Sequence, residues 1–216
     1  DLKINQFSYS VEVLPIFILM PTVGSRAALW QEIDGKVRTT PGRMIAPLFY
    51  FEDLDDCITS LTGSFRWEMC KREQGGRWND VRDPSLTSKY NDYLQFYRKN
   101  RDISPELRER IKQDLQRARN NFRNMFVMDY MLYIKYESTG AQRMNKIARD
   151  ILFEFCPFAR PIRDRMASSP QYGKLIERHN LKTATKLRPL NTIVQKLAGA
   201  EEIPSEITEE IKFTKA

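Results

Sequence analysis

Residues 104–137 constrain this chain most. From Leu107 to Thr139 neither Pro nor Gly interrupts, and Leu107, Ile111, Leu115, Ala118, Phe122, Met125 and Phe126 recur at steps of three and four. That spacing draws one stripe down a helix. Ser104 stands where an N-cap belongs, and Pro105 takes the first helical position, where its missing N–H removes no bond. Glu106 and Glu109 set negative charge in the first turns, and Gly140 supplies a stop. The pattern predicts a single helix over 104–137. At about 1.5 Å per residue it would be roughly 50 Å long and would organise the elements around it.

The two halves of this stretch differ. In the first, Arg108, Lys112, Arg119 and Arg123 fall on one outward face of a continuous helix. In the second, Met125 to Tyr136 is apolar nearly all round, interrupted by Asp129 and Lys135, and must be covered on most sides. A buried Asp129 then needs a partner, and a structural ion pair is favoured over an active-site acid.

The elements upstream fall into two classes. Residues 1–50 are the only part with strand character. Leu14 to Met20 is an apolar run bounded by Pro15 and Pro21, which limit it to a sheet edge or a strand start. Residues 28–39 predict a hairpin turning at Asp34-Gly35, and Met44 to Tyr50 is apolar again, so a small antiparallel layer is expected. Beyond Tyr50 the periods are helical. Leu54, Cys57, Ile58, Leu61, Phe65 and Met69 mark a helix over 52–73 that contains Gly63. A second helix starts at Ser85 or Thr87 and runs to about Lys99.

Downstream of Gly140 the spacing predicts further helices ending at Pro157, near Asn180, at Gly199 and near Phe213. The fold class is therefore α+β, mostly α: a small N-terminal β hairpin or sheet layer, then an antiparallel helical bundle around one long helix. The expected divisions are a β-rich layer over 1–50 packed on the bundle, a helical bundle domain over 51–199, and an acidic tail over 200–216.

Chemistry-bearing residues are sparse. Cys57, Cys70 and Cys156 match no zinc spacing, and free thiols fit a reducing compartment. Glu52, Asp53, Asp55 and Asp56 form an acidic cluster where the start of a helix favours acids electrostatically. His179, the one histidine, sits near a helix end without the partners of a triad or a zinc site. The glycines have neither phosphate-loop spacing. No cofactor, metal or catalytic residue is expected, and an enzyme is the less favoured class.

Charge gives the strongest functional pointer. The chain carries a net charge of +7, and residues 157–196 alone sum to +7 before a C-terminal stretch of −3. The expected anionic-partner residues are Arg108, Lys112, Arg119, Arg123, Arg160, Arg163, Arg165, Lys182, Lys186 and Arg188. Tyr90, Tyr93, Phe96 and Tyr97 precede Arg98, Lys99 and Arg101, an interleaving seen in single-strand binders. The apolar runs are too short to span a bilayer. A chain opening on Asp1 reads as part of a larger protein. The sequence thus points to a non-enzymatic helical interaction or scaffold module in a cytoplasmic protein or assembly, bound to a protein partner or to itself. The alternative is nucleic-acid binding through basic helix faces.

Overall fold

The structure is a computed structural model that describes residues 13–30, 42–197 and 203–215. It has the expected class: a small N-terminal sheet followed, among the described residues, by eight α-helices. The predicted hairpin turn at Asp34-Gly35 lies outside the described residues. Residues 13–157 form one compact unit, and the helices after Pro157 belong to a second, so the stretch 51–199 is divided between the two.

The sheet comprises β1 (Ile16–Gly24), β2 (Ala28–Trp30) and β3 (Arg43–Tyr50), in the order β1-β3-β2. It is mixed rather than antiparallel: β1 runs parallel to β3, and β2 runs antiparallel to it. The chain leaves β1 through Ser25–Ala27 and enters β2, but β3 inserts between them and takes a ladder from each. Prolines sit where they break no bond. The Ile16 amide donates to the Gly42 carbonyl at 2.8 Å, so Ile16, Ile18 and Met20 turn their backbone polar groups toward β3. By alternation, Pro15, Phe17, Leu19 and Pro21 turn theirs to the outer edge. A bulge follows between Met20 and Val23.

One helix covers the sheet. Met44 and Ala46 of β3 are buried against Cys57 and Leu61, with Ala27, Leu29, Tyr50 and Phe65 around them. That helix, α1 (Leu54–Gln74), starts at Asp53, whose carboxylate accepts the Asp55 amide at 2.9 Å. It ends at Gly75 with φ 57°, a left-handed value that glycine adopts at little cost.

The other side of α1 faces α2 (Leu86–Phe96) and α4 (Phe122–Lys135). Ser85, not Thr87, caps α2, in a capping box with Ser88. Where α1 crosses α4, a Cβ on Gly63 would lie 2.9 Å from the Tyr130 ring, so the glycine sets how closely the helices approach. Trp67, Tyr90, Tyr93, Phe126 and Tyr130 meet here with neighbouring ring centroids 5.3 to 6.0 Å apart, in edge-on and tilted contacts.

The single long helix is not formed. α3 (Pro105–Arg117) ends at Ala118, and Arg119 and Asn120 take positive φ of 57° and 55°. The Asn120 amide donates to Leu115 O at 2.8 Å and the Arg119 amide to Gln116 O at 2.9 Å. This is the double bonding of a Schellman stop, with Arg119 where glycine is usual. Asn121 then caps α4 by accepting the Asn124 amide at 3.2 Å. Two adjacent asparagines thus end one helix and start the next, because Asn tolerates the left-handed region and its side chain caps well.

α5 (Lys146–Phe155) completes the first unit. Glu137, fully buried, accepts the amides of Arg143 and Met144 at 2.8 and 3.0 Å and lies 3.8 Å from the Arg149 guanidinium, holding the loop into α5.

The second unit contains α6 (Arg160–Met166), α7 (Gly173–Leu197) and α8 (Ser205–Lys215). The sequence pattern did not predict α6. It also predicted two helices where α7 is one, because Pro189 was read as a start. Pro189 instead lies inside α7, at an exposed position, where it offers no N–H to the Thr185 carbonyl and its ring crowds that group.

Candidate functional site

The sheet faces solvent with residues that elsewhere in the chain are core. In a parallel pair, partners share a face, and register places Ile16, Ile18, Met20, Arg43, Ile45, Pro47, Ala28 and Trp30 on the side away from α1, where Pro47 is buried and Ile18, Arg43 and Ile45 are half-buried. Ile16 is 47% exposed, Met20 42% and Trp30 54%. The Arg43 guanidinium lies 5.0 Å from the Trp30 ring centroid and is the only charged side chain on the three strands. The α1 side is also incomplete. Met44 and Ala46 are buried there, but Phe17 and Leu19 on β1 lie beyond the helix and stay exposed. Leu48, Phe49 and Phe51 carry the apolar surface past the end of β3, and Leu54 and Ile58 extend it onto α1.

Parallel strands are normally covered on both faces, and soluble chains rarely leave large contiguous apolar patches open. Sequence reasoning limited Leu14–Met20 to a sheet edge or a strand start and did not name this surface. The available signal was the pair of prolines at 15 and 21, which marked an edge.

The ten basic residues predicted for an anionic partner are dispersed. Arg108 donates to the Asn100 carbonyl at 2.8 Å, and Lys112 pairs with Glu109 at 3.1 Å. Arg119 sits in the turn, and Arg123 pairs with Glu68 at 2.9 Å. Their stripe required a continuous helix and is lost with it. In the second unit, Arg163 is buried and donates to the Phe158 carbonyl at 2.5 Å, while Arg160 lies 3.8 Å from Asp164. Arg165, Lys182, Lys186 and Arg188 are exposed. On α7, Lys174, Arg178, Lys182 and Lys186 recur every fourth residue, all exposed, with Glu177 the one acid in the helix.

Titratable groups in both units are shifted or held by their neighbours. Burial pushes the Asp129 carboxyl up to about 7, opposed by the hydrogen bond from Tyr90 Oη at 2.6 Å and reinforced by Asp114. Asp129 thus meets a phenol rather than the cation expected for it. Burial and the same carboxylate push the Tyr90 phenol well up. Burial raises the Cys57 and Cys156 thiols, which disfavours their nucleophilic form. His179 is held below its usual range by burial and by Arg163, Lys186 and Lys182. In the acidic cluster, Asp56 pairs with Lys135 at 2.9 Å. Among the described residues no His, Cys, Asp and Glu side chains converge as metal ligands, and no helix is long and apolar enough to cross a membrane.

The model of a protein family, a domain of unknown function (DUF8509), matches residues 75–213, and the chain belongs to that family. The match begins after α1, so the sheet lies outside it. No curated protein and no solved structure matches the chain.

Proposed function

We propose that this protein is a non-enzymatic interaction module of a larger cytoplasmic assembly, and that the uncovered sheet is its contact surface. The carrying observation is that, among the described residues, a three-stranded sheet has one helical cover, leaving Ile16, Phe17, Leu19, Met20, Trp30 and Phe49 exposed around a single charge on the strands. Such a surface gains from burial at roughly 25 cal/mol per Å² of apolar area. The three free thiols support a reducing setting.

A second reading has its own observation. The Lys174–Arg178–Lys182–Lys186 row on α7 is a ridge of positive charge suited to phosphates. One experiment weighs both. A photo-crosslinking phenylalanine analogue is placed at Phe49 or at Lys182, the cells are irradiated, and adducts are identified by mass spectrometry. The expected result is protein adducts from position 49. Nucleic-acid adducts from position 182, with none from 49, would overturn the sheet in favour of the ridge.

A further inference from the structure

Among the described residues the sheet has a free edge as well as a free face, and the edge has a symmetry. Its outward backbone groups run from Pro15 to Pro21, and only Phe17 and Leu19 supply donors there, because both prolines lack an N–H. Those two donors lie one residue on either side of Ile18, and the prolines lie three on either side. The segment Pro-Ile-Phe-Ile-Leu-Met-Pro has nearly the same residue classes in both directions.

We propose that a second copy of this chain docks at this edge, with the two β1 strands antiparallel about a two-fold axis at Ile18. The inference rests on the reading of the sheet as the contact surface. A two-fold interface must be self-complementary, and this edge is. In the register centred on Ile18, Phe17 of each copy faces Leu19 of the other as a reciprocally hydrogen-bonded pair, which satisfies every outward donor. Each proline faces a proline, where neither strand offers an N–H. Ile18 faces Ile18 as a non-hydrogen-bonded pair, and Ile16 faces Met20. No charge opposes a like charge, since Arg43 sits one strand away from the axis. The pairing consumes an edge that would otherwise template open-ended association, and the prolines confine it to one short stretch. It also joins the exposed faces of the two sheets into one apolar surface.

Sedimentation velocity over a concentration series, with three single-cysteine additions, tests this. Directly opposed residues in a non-hydrogen-bonded pair have Cα atoms about 4.5 Å apart, within disulfide reach, whereas diagonal neighbours lie at about 7–8 Å. Under mild oxidation Ile18→Cys is expected to give a covalent dimer, while Phe17→Cys, Leu19→Cys and the unsubstituted chain are not. Leu19→Pro removes an outward donor without touching the ladder to β3. It is expected to weaken dimerisation at least about tenfold with an unchanged circular-dichroism spectrum. A chain monomeric at every concentration overturns the proposal, as does a dimer that Ile18→Cys fails to link or Leu19→Pro leaves intact. If that monomer still gives protein adducts from position 49, the contact-surface reading stands with a different partner. If it gives none, both fail.

Discussion

Aromatic and aliphatic side chains meet opposite fates on the two sides of α1. On one, Trp67, Tyr90, Phe126 and Tyr130 close around each other, and each is nearly or fully buried. On the other, Phe17, Leu19, Trp30 and Phe49 stand on a sheet of similar apolar content and remain roughly half exposed. Composition does not separate the two regions; cover does. α2 and α4 both close over the first, with Gly63 letting α4 approach. Among the described residues, the second has one helical cover, α1, and no strand beyond β1.

The largest effect expected from this difference is at Phe126, which is fully buried against three rings. Phe126→Ala is expected to destabilise the fold by about 3–5 kcal/mol through the cavity it leaves, read as a lower midpoint in denaturant unfolding. A loss under about 1 kcal/mol would mean that the cluster collapses to fill the space, and that the contrast between the two sides is weaker than the burial implies.

Much of this arrangement was legible in the sequence because it rests on local rules. Ser85 and Ser104 announced helix starts, Gly140 a stop, and the apolar stretch after Met125 announced a covered helix. Pro15 and Pro21 announced an edge strand. The break at Arg119–Asn120 was hidden because the stop uses Arg rather than Gly at the left-handed position, and the apolar stripe continues in phase on both sides. The parallel pairing of β1 with β3, and the absence of cover over Leu14–Met20, were not legible. An apolar run carries no record of what lies against it, since cover depends on elements distant in sequence. For the same reason two partners of the basic residues were not legible: the Asn100 carbonyl reaches Arg108 and Glu68 reaches Arg123 only in the folded chain.

Asp129 sharpens the comparison from inside the covered region. It is buried beneath Tyr90 and Tyr93 of α2, near Asp114 and Arg110 of α3. Its carboxyl titrates at about 7 in the folded chain against an ordinary value of 3.8. The folded state therefore holds a proton that the unfolded state has released. This group takes nothing from stability below pH ~4, an increasing amount as pH rises toward 7, and its full penalty of a few kcal/mol above that. Unfolding free energy measured from pH 4 to 8 is expected to fall through this window in the wild type. Asp129→Asn is expected to remove most of that fall, since the amide keeps an acceptor for the Tyr90 hydroxyl. Parallel pH profiles would show that the carboxylate is not charged at the expense of this core.

The smallest expected effect on stability is on the open side, at Phe49. The side chain is 63% exposed, so deleting its ring removes little area that folding had buried. Phe49→Ser is expected to shift unfolding free energy by less than about 0.5 kcal/mol, the usual range of surface substitutions. A change of that size, beside a loss of several kcal/mol at Phe126, would separate two residues of one type by cover alone. It would also leave binding as the remaining physical reason to keep a phenylalanine in water at that position. A loss at Phe49 comparable to that at Phe126 would mean that the isolated chain already buries this ring, and would place the sheet with the core rather than with the contact surface.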